Sequence, residues 1–299
     1  MLFPYRPTVA ITHISQRFPK VPLQLFEFYL LYKMKYFIAI QTIIYSALFS
    51  CAFGQEESWD NYLSSYSGKP GSVLVDLGYI DKAPDKKYPF LVITGPHAQN
   101  CGKNGIPDKE EIDQLEEILD ATTNFLNGVT AKVLVGTFTY NCERLNYYYV
   151  KDTESIRVAI ARMYNRSFQN YSYAIHIKAD PEWGVYRTFL YPDESTQIWM
   201  ENEKLITAML DSGDNLTAER DIKFQIYFRT DTEREALVNY ATANGYKTDK
   251  INLTTGASYE LILSKHGLVK IEDIDAMTAD LRRESRKHRG FYNGWTARR

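Results

Sequence analysis

The apolar and polar positions of this chain fall into two successive α+β runs, with the change of unit near residues 191–193. In the first run, residues 72–76 and 88–94 read as strands. Phe90, Leu91, Val92 and Ile93 are continuously apolar, the pattern of a strand covered on both faces. Residues 107–127 place Ile112, Leu115, Leu119 and Leu126 at helical spacing, joined by Ile118 and Phe125. Pro107, Asp108, Glu110 and Glu111 suit the start of that helix, and Asn127-Gly128 stops it. Strands follow at 130–140 and 144–150 around Asn141, Cys142 and Glu143. A helix at 153–164 with Asp152 as its cap buries Ile156, Ile160 and Met163. Strands at 171–178 and 185–191 complete a β-β-α-β-β-α-β-β order, with Ser58 to Tyr66 a short lead-in.

The second run opens with a helix from Ser195 to Leu210, turning Ile198, Trp199, Leu205, Ile206 and Met209 inward. Residues 222–228 then alternate apolar and polar, so this sheet has one covered and one wetter face. Thr230 and Glu233 form a capping box for a helix to Ala243, stopped by Asn244-Gly245. Residues 247–253 and 258–264 read as a hairpin, and 271–289 as a last helix with Ile274, Met277 and Leu281 inward. Gly290 delivers a closing strand, Phe291 to Trp295, whose alternate aromatics pack under the helices while Asn293-Gly294 permits a bulge or a turn. The plan is a two-domain α+β chain whose second half is a compact β-α-β-β-α-β unit behind one extra helix.

The first fifth has a separate job. Lys33, Met34 and Lys35 precede an apolar run from Tyr36 to Phe49, too short for a bilayer span of roughly 20 residues but right for a signal sequence. Ala52, Phe53 and Gly54 place cleavage after Gly54; lipidation at Cys51 is the second route, and the only one that ties the chain to a membrane. Residues 1–33 have neither period nor caps, and the expectation is a start at Met34 with 1–33 a mis-called extension. The plan is therefore 1–33, a signal peptide at 34–54, an α+β domain at 57–193 and a second domain at 196–299, with the mature protein exported to the periplasm or cell surface.

Composition refines this picture. Tyr outnumbers Phe by 23 to 15, as suits half-exposed sheet faces where the ring packs and the hydroxyl stays wet. Loss of residues 1–54 removes five basic side chains and one acid, leaving 30 against 36, a formal charge of −6. That argues against a nucleic-acid partner. Cys101 and Cys142 remain, a natural disulfide pair in an oxidising compartment, with two free thiols the alternative.

No spacing of residues predicts chemistry, so no catalytic set, metal site or cofactor is expected. The five histidines form no metal-binding helix motif, and there is no nucleophile elbow or phosphate loop. Residues 100–111 only faintly resemble a calcium loop: Gly102 stands where a side-chain ligand is needed. Arg282, Arg283, Arg286, Lys287 and Arg289 crowd the end of a helix that begins with Glu272, Asp273 and Asp275, a distribution that complements the helix dipole.

Met209 to Asp214, the one-faced strand before Thr230, Gly245-Tyr246 and Tyr292-Asn293-Gly294-Trp295 follow in the order seen in the bacterial regulator of ribonuclease E activity B (RraB) family. Residues 196–299 resemble that family, which implies a ferredoxin-like fold and an inhibitor that binds a protein partner. Trp59, Gly105-Ile106-Pro107 with Glu110, Gly136-Thr137, Arg144 with Tyr147 to Tyr149, and Asp180 to Trp183 resemble an uncharacterised bacterial family, domain of unknown function 695, over about 57–193. Neither resemblance supplies a catalytic residue. Ribonuclease E is cytoplasmic and that regulator is strongly acidic, whereas this chain carries a signal pattern and a basic last helix. The expectation is an exported, non-enzymatic binding or regulatory protein for a protein or cell-envelope ligand. Arg144, Tyr147, Tyr149, Trp183, Tyr292 and Trp295 are its candidate contact residues. The alternatives are an envelope enzyme with its site around Arg144, Tyr147, Tyr149 and Trp183, or a cytoplasmic ribonuclease E-type inhibitor if the signal is unused.

Overall fold

The structure, a computed structural model, describes residues 58–253 and 259–298, without the side chains of 250–253. The signal pattern, Cys51 and the tip of the last hairpin lie outside those residues. The chain divides between Leu190 and Tyr191 into two compact units.

The N-terminal unit is built on a six-stranded antiparallel sheet. Its strands are β1 (Trp59–Tyr66), β2 (Lys69–Asp76), β3 (Phe90–Pro96), β4 (Lys132–Tyr140), β5 (Glu143–Val150) and β6 (Tyr173–Ala179), in the order β1-β2-β4-β5-β3-β6. Helices α1 (Lys109–Asn127) and α2 (Ile156–Ser167) pack on one face. There Leu115, Ile118, Leu126, Ile156, Ile160 and Met163 meet Val92, Tyr148 and Val150 in one core.

Three local expectations are corrected. The lead-in at Ser58 to Tyr66 is β1, paired along its whole length with β2. Ser67 and Gly68 both take positive φ, 50° and 76°, the two-residue turn that matches strand twist. Asp152 does not cap α2, which begins at Ile156 behind Ser155; the Asp152 carboxylate instead accepts from Thr130 Oγ1 at 3.3 Å. Residues 185–191 are not a strand but a π-helical turn, Tyr186–Leu190. Its cause is Asp180, whose carboxylate accepts from the Gly184 and Val185 amides at 2.9 and 3.0 Å and starts a helical turn. The buried residues Trp183, Tyr186 and Leu190 have helical, not alternate, spacing.

The C-terminal unit contains a four-stranded antiparallel sheet of β7 (Arg220–Phe228), β8 (Lys247–Leu253), β9 (Tyr259–Gly267) and β10 (Phe291–Ala297), ordered β10-β7-β9-β8. With α4 (Asp231–Ala243) and α5 (Ile271–Lys287) this is the β-α-β-β-α-β, ferredoxin-like arrangement, preceded by α3 (Glu194–Asp211). The alternation of β7 sends Ile222, Phe224, Ile226 and Phe228 into the core with Leu237, Leu261, Leu263, Ile274 and Leu281. Thr230 caps α4 by accepting from the Glu233 amide at 3.3 Å.

Helix α3 departs from its pattern. Asp193, not Ser195, is the cap, accepting from the Thr196 amide at 2.8 Å. Leu205 is exposed, while the polar Asn202 is buried. Asn202 accepts from Trp295 Nε1 at 2.8 Å and donates through Nδ2 to Asp275 Oδ1 at 2.7 Å. One amide therefore fastens α3 to both β10 and α5, satisfying a buried indole in the process.

Burial raises the pKa of Asp275, opposed by the bond from Asn202 and reinforced by Glu272. Between the ordinary value of 3.8 and the raised native value, the folded state holds more protons than the unfolded. The contribution of Asp275 to stability therefore falls as pH rises through that window. Asp275→Asn keeps an acceptor for Asn202 without the desolvated charge. It is expected to raise the unfolding free energy at pH 7 by a few tenths of a kcal/mol, read as a higher urea midpoint, solvent screening holding the gain below about 1 kcal/mol. Midpoints of variant and parent should converge below pH 3.8.

Candidate functional site

The strand β5 carries three of the residues singled out from sequence, and its pleat splits them. Arg144, with Asn146, Tyr148 and Val150, faces the helices; Tyr147 and Tyr149 face the other way. The guanidinium of Arg144 is paired with Glu116 of α1 and donates to Thr139 Oγ1 at 3.3 Å. Beside it, Asn146 Oδ1 accepts from Thr137 Oγ1 at 3.0 Å. Arg144 Nε and Asn146 Nδ2 are buried with no hydrogen-bond partner among the described residues.

On the opposite face Trp183 is fully buried, stacked between Tyr149 at 3.9 Å and Tyr79 at 5.1 Å between ring centroids. Its Nε1 donates to the Tyr88 carbonyl at 3.0 Å. The Tyr149 hydroxyl donates to Asp180 Oδ2 at 2.5 Å. Burial, ahead of the Asp180 contact, pushes the Tyr149 phenol well above its ordinary range, so it stays a neutral donor. Tyr147 is also buried, tilted against Phe189. Arg144 is thus separated by the sheet from the three aromatics, and the four do not converge on one space.

Cys101 and Cys142 are joined in a disulfide, Cα atoms 5.9 Å apart. Asn141 and Cys142 both have positive φ, 50° and 65°, and make the two-residue turn between β4 and β5. The segment 98–107 is strapped to this tip: Ala98 N donates to the Cys142 carbonyl at 2.7 Å, and Cys142 N donates to the Gly105 carbonyl at 2.8 Å. Gly105 has φ +80°, and an added Cβ would sit 3.0 Å from Asn141 Cα, so glycine is required there. The faint calcium loop is this strap. Glu111 turns its buried carboxylate onto the Gln99 amide at 2.9 Å and Asn100 Nδ2 at 3.2 Å. Burial, with Glu111 beside it, pushes the Tyr171 phenol up to about 12.

In the C-terminal unit the basic helix end is answered by acids. Arg282 pairs with Glu201, Arg286 with Glu194, Arg283 with Asp280 and Glu284, and Lys287 with Glu284. The two aromatics of the closing strand also have structural work. Trp295 is buried and Tyr292 packs beside it on the same core, its ring lying 5.3 Å from the Arg282 guanidinium. Phe291, expected to alternate with Trp295 toward the helices, is instead 66% exposed. It lies directly opposite Tyr227 of β7, on the sheet face away from the helices.

That outer face holds polar residues that sequence reasoning did not single out. Asn293 Nδ2 donates to Gln225 Oε1 at 2.8 Å, and Gln225 Nε2 donates to Glu260 Oε1 at 2.5 Å. Glu260 lies directly opposite Tyr227, and burial, followed by that nearby carboxylate, raises the pKa of the Tyr227 phenol. Farther along, Lys223 pairs with Asp249 at 3.1 Å, and His266 Nδ1 lies 2.9 Å from Asp221 Oδ1. The signal was present in the outward positions of β7, Lys223, Gln225 and Tyr227.

Comparison with known proteins adds family likeness to this geometry. Residues 57–191 match DUF695, a family of unknown function. Residues 199–296 match the family described as regulator of ribonuclease activity B. Both matches fall where the sequence resemblances lie. No curated protein matches the chain. Among solved structures, one described as a candidate glycine cleavage system transcriptional repressor is 8% identical and covers 70% of this chain and 98% of its own, with a TM-score of 0.21. An unknown protein from Galdieria sulphuraria is 7% identical, covers 71% and 99%, and scores 0.20. Neither likeness carries an argument about this chain.

The disulfide sets the prediction for this region. Its cysteines are 41 residues apart, for which loop-closure entropy corresponds to about 4 kcal/mol. Cys101→Ala with Cys142→Ala is expected to lower the unfolding free energy by about that amount. Dithiothreitol should bring the parent chain to the same urea midpoint and leave the double variant unchanged.

Proposed function

We propose that this chain is an exported, non-enzymatic binding or regulatory protein that engages a cell-envelope partner through the outer face of its C-terminal sheet. The observation that carries the reading is Phe291, a large apolar side chain standing 66% exposed on a strand whose other aromatics are packed. Beside it lie Tyr227 and the Asn293–Gln225–Glu260 relay, a mixed aromatic and polar surface of the kind used for recognition. Export is supported by the signal pattern at residues 34–54 and by a bridged cysteine pair, which suits an oxidising compartment. Regulation of a ribonuclease, the activity in the family's description, need not travel with a fold to another compartment. Attachment to a membrane would follow only from lipidation at Cys51.

One observation favours the second reading, an envelope enzyme of the N-terminal unit. Arg144 Nε and Asn146 Nδ2 are buried donors without partners among the described residues, and such groups mark sites that bind or react. Both side chains are buried and Arg144 is already paired with Glu116 of α1, which is why the binding role is preferred.

Fractionation and crosslinking separate these readings. The mature chain is expected in the envelope fraction, and in-cell crosslinking there should give adducts that Phe291→Asp abolishes and Arg144→Met leaves intact. A full-length chain recovered from the cytoplasm would restore the ribonuclease-regulator reading. Adducts that depend on Arg144 and ignore Phe291 would move the site to the N-terminal unit.

A further inference from the structure

We infer that the occupant of the outer sheet face is a neutral glycan chain, whose sugar rings stack on Phe291 and Tyr227 while its hydroxyls bond the Asn293–Gln225–Glu260 relay. The inference rests on the binding role proposed above and names its ligand class.

Three properties of the face select this chemistry. Phe291 and Tyr227 are directly opposed on neighbouring antiparallel strands, so both side chains leave the same face, with strands about 4.8 Å apart. Each ring is on the scale of one pyranose ring, whose C–H face packs against an aromatic face, and the two side chains leave the sheet at neighbouring positions. The adjoining relay runs Asn293 to Gln225 to Glu260, and Glu260 stands opposite Tyr227 on β9. Its bonds fix which way each amide points. An amide has more donor and acceptor capacity than one bond uses, and a sugar hydroxyl both donates and accepts. The relay therefore presents oriented partners beside the platform.

Charge and hydrogen bonding, among the described residues, disfavour the main competitors. A nucleic acid needs cations for its phosphates, yet the carboxylate of Glu260 lies beside Tyr227 and Lys223 is paired with Asp249. An apolar protein surface would strip water from the amide–carboxylate relay without returning its hydrogen bonds, which disfavours it. A hydroxyl-rich ligand replaces that water bond for bond. The face is an open sheet, so affinity for one short chain should be weak and should grow with repeated contacts along a polymer.

The test uses the full mature chain and isothermal titration with chitohexaose, cellohexaose, maltohexaose and xylohexaose, beside an eight-nucleotide oligothymidylate. Saturable binding to at least one oligosaccharide is expected, with a Kd on the order of 1 mM. Phe291→Ala and Tyr227→Ala should each weaken it about tenfold or more, and Phe291→Tyr should retain it. Phe291 is largely exposed, so its replacement leaves the core intact, and an unchanged urea midpoint checks this. No saturable binding to any oligosaccharide by about 20 mM, or binding that survives both ring removals, overturns the inference. Ring-dependent binding of the oligonucleotide overturns it in favour of a nucleic acid. If envelope adducts still require Phe291 while no oligosaccharide binds, the glycan assignment fails and the binding role stands.

Discussion

The β-bulge between Tyr292 and Gly294 is the constraint on which the C-terminal unit depends. Tyr292 lies opposite Ile226 and Trp295 opposite Phe224, core residues two apart on β7, whereas their partners are three apart on β10. A regular strand would send Tyr292 and Trp295 to opposite faces. The extra residue lets both face the helices, at the cost of a backbone position with φ +120° that Gly294 supplies. Two consequences follow from that one insertion. Trp295 reaches Asn202, and through it α3 is fastened to β10 and α5. Phe291 and Asn293 are left on the outer face, beside Tyr227 and Gln225.

The N-terminal unit has a comparable centre in Asp180. Its carboxylate accepts from two backbone amides and from the Tyr149 hydroxyl, so one side chain both bends the chain into a helical turn and ties that turn to the sheet. Trp183, held at φ +55° in that turn, lies between Tyr149 and Tyr79. A non-glycine residue in this conformation persists only where its surroundings hold it, and the stack and the Tyr88 carbonyl do so. Residues that in sequence suggest a polar and aromatic site are, in the fold, a way of closing one face of a sheet.

How much of this was legible depends on the range of the interactions involved. The order of the C-terminal elements, the capping by Thr230, the one-faced alternation of β7 and the bulge at Asn293-Gly294 all rest on neighbours within a few positions. Those signals survive in the sequence. Strand β1 did not read as a strand because Asn61, Ser64 and Ser65 interrupt its apolar character, and its pairing with β2 supplies what its composition lacks. The π-helical turn was hidden because Asp180 acts across several residues and through Tyr149, 31 positions away. The outer-face surface was half legible. The wetter side of β7 could be seen, but which residues of β9 and β10 stand beside it is a matter of register, and register is set by the bulge.

The same reasoning separates shape from role in the closing strand. Tyr292, Gly294 and Trp295 are constrained by packing and backbone conformation, so their appearance together identifies a fold and need not carry a partner along with it. Phe291 and Asn293 are under no such constraint. One is largely exposed and the other is the inserted residue, free to take any side chain the outer face can use. If ligands differ among proteins sharing this arrangement, the differences should lie at those two positions and at Tyr227, Gln225 and Glu260 across the sheet. Tyr292, Gly294 and Trp295 hold the strand in place, and Phe291 and Asn293 stand on the face that this leaves open.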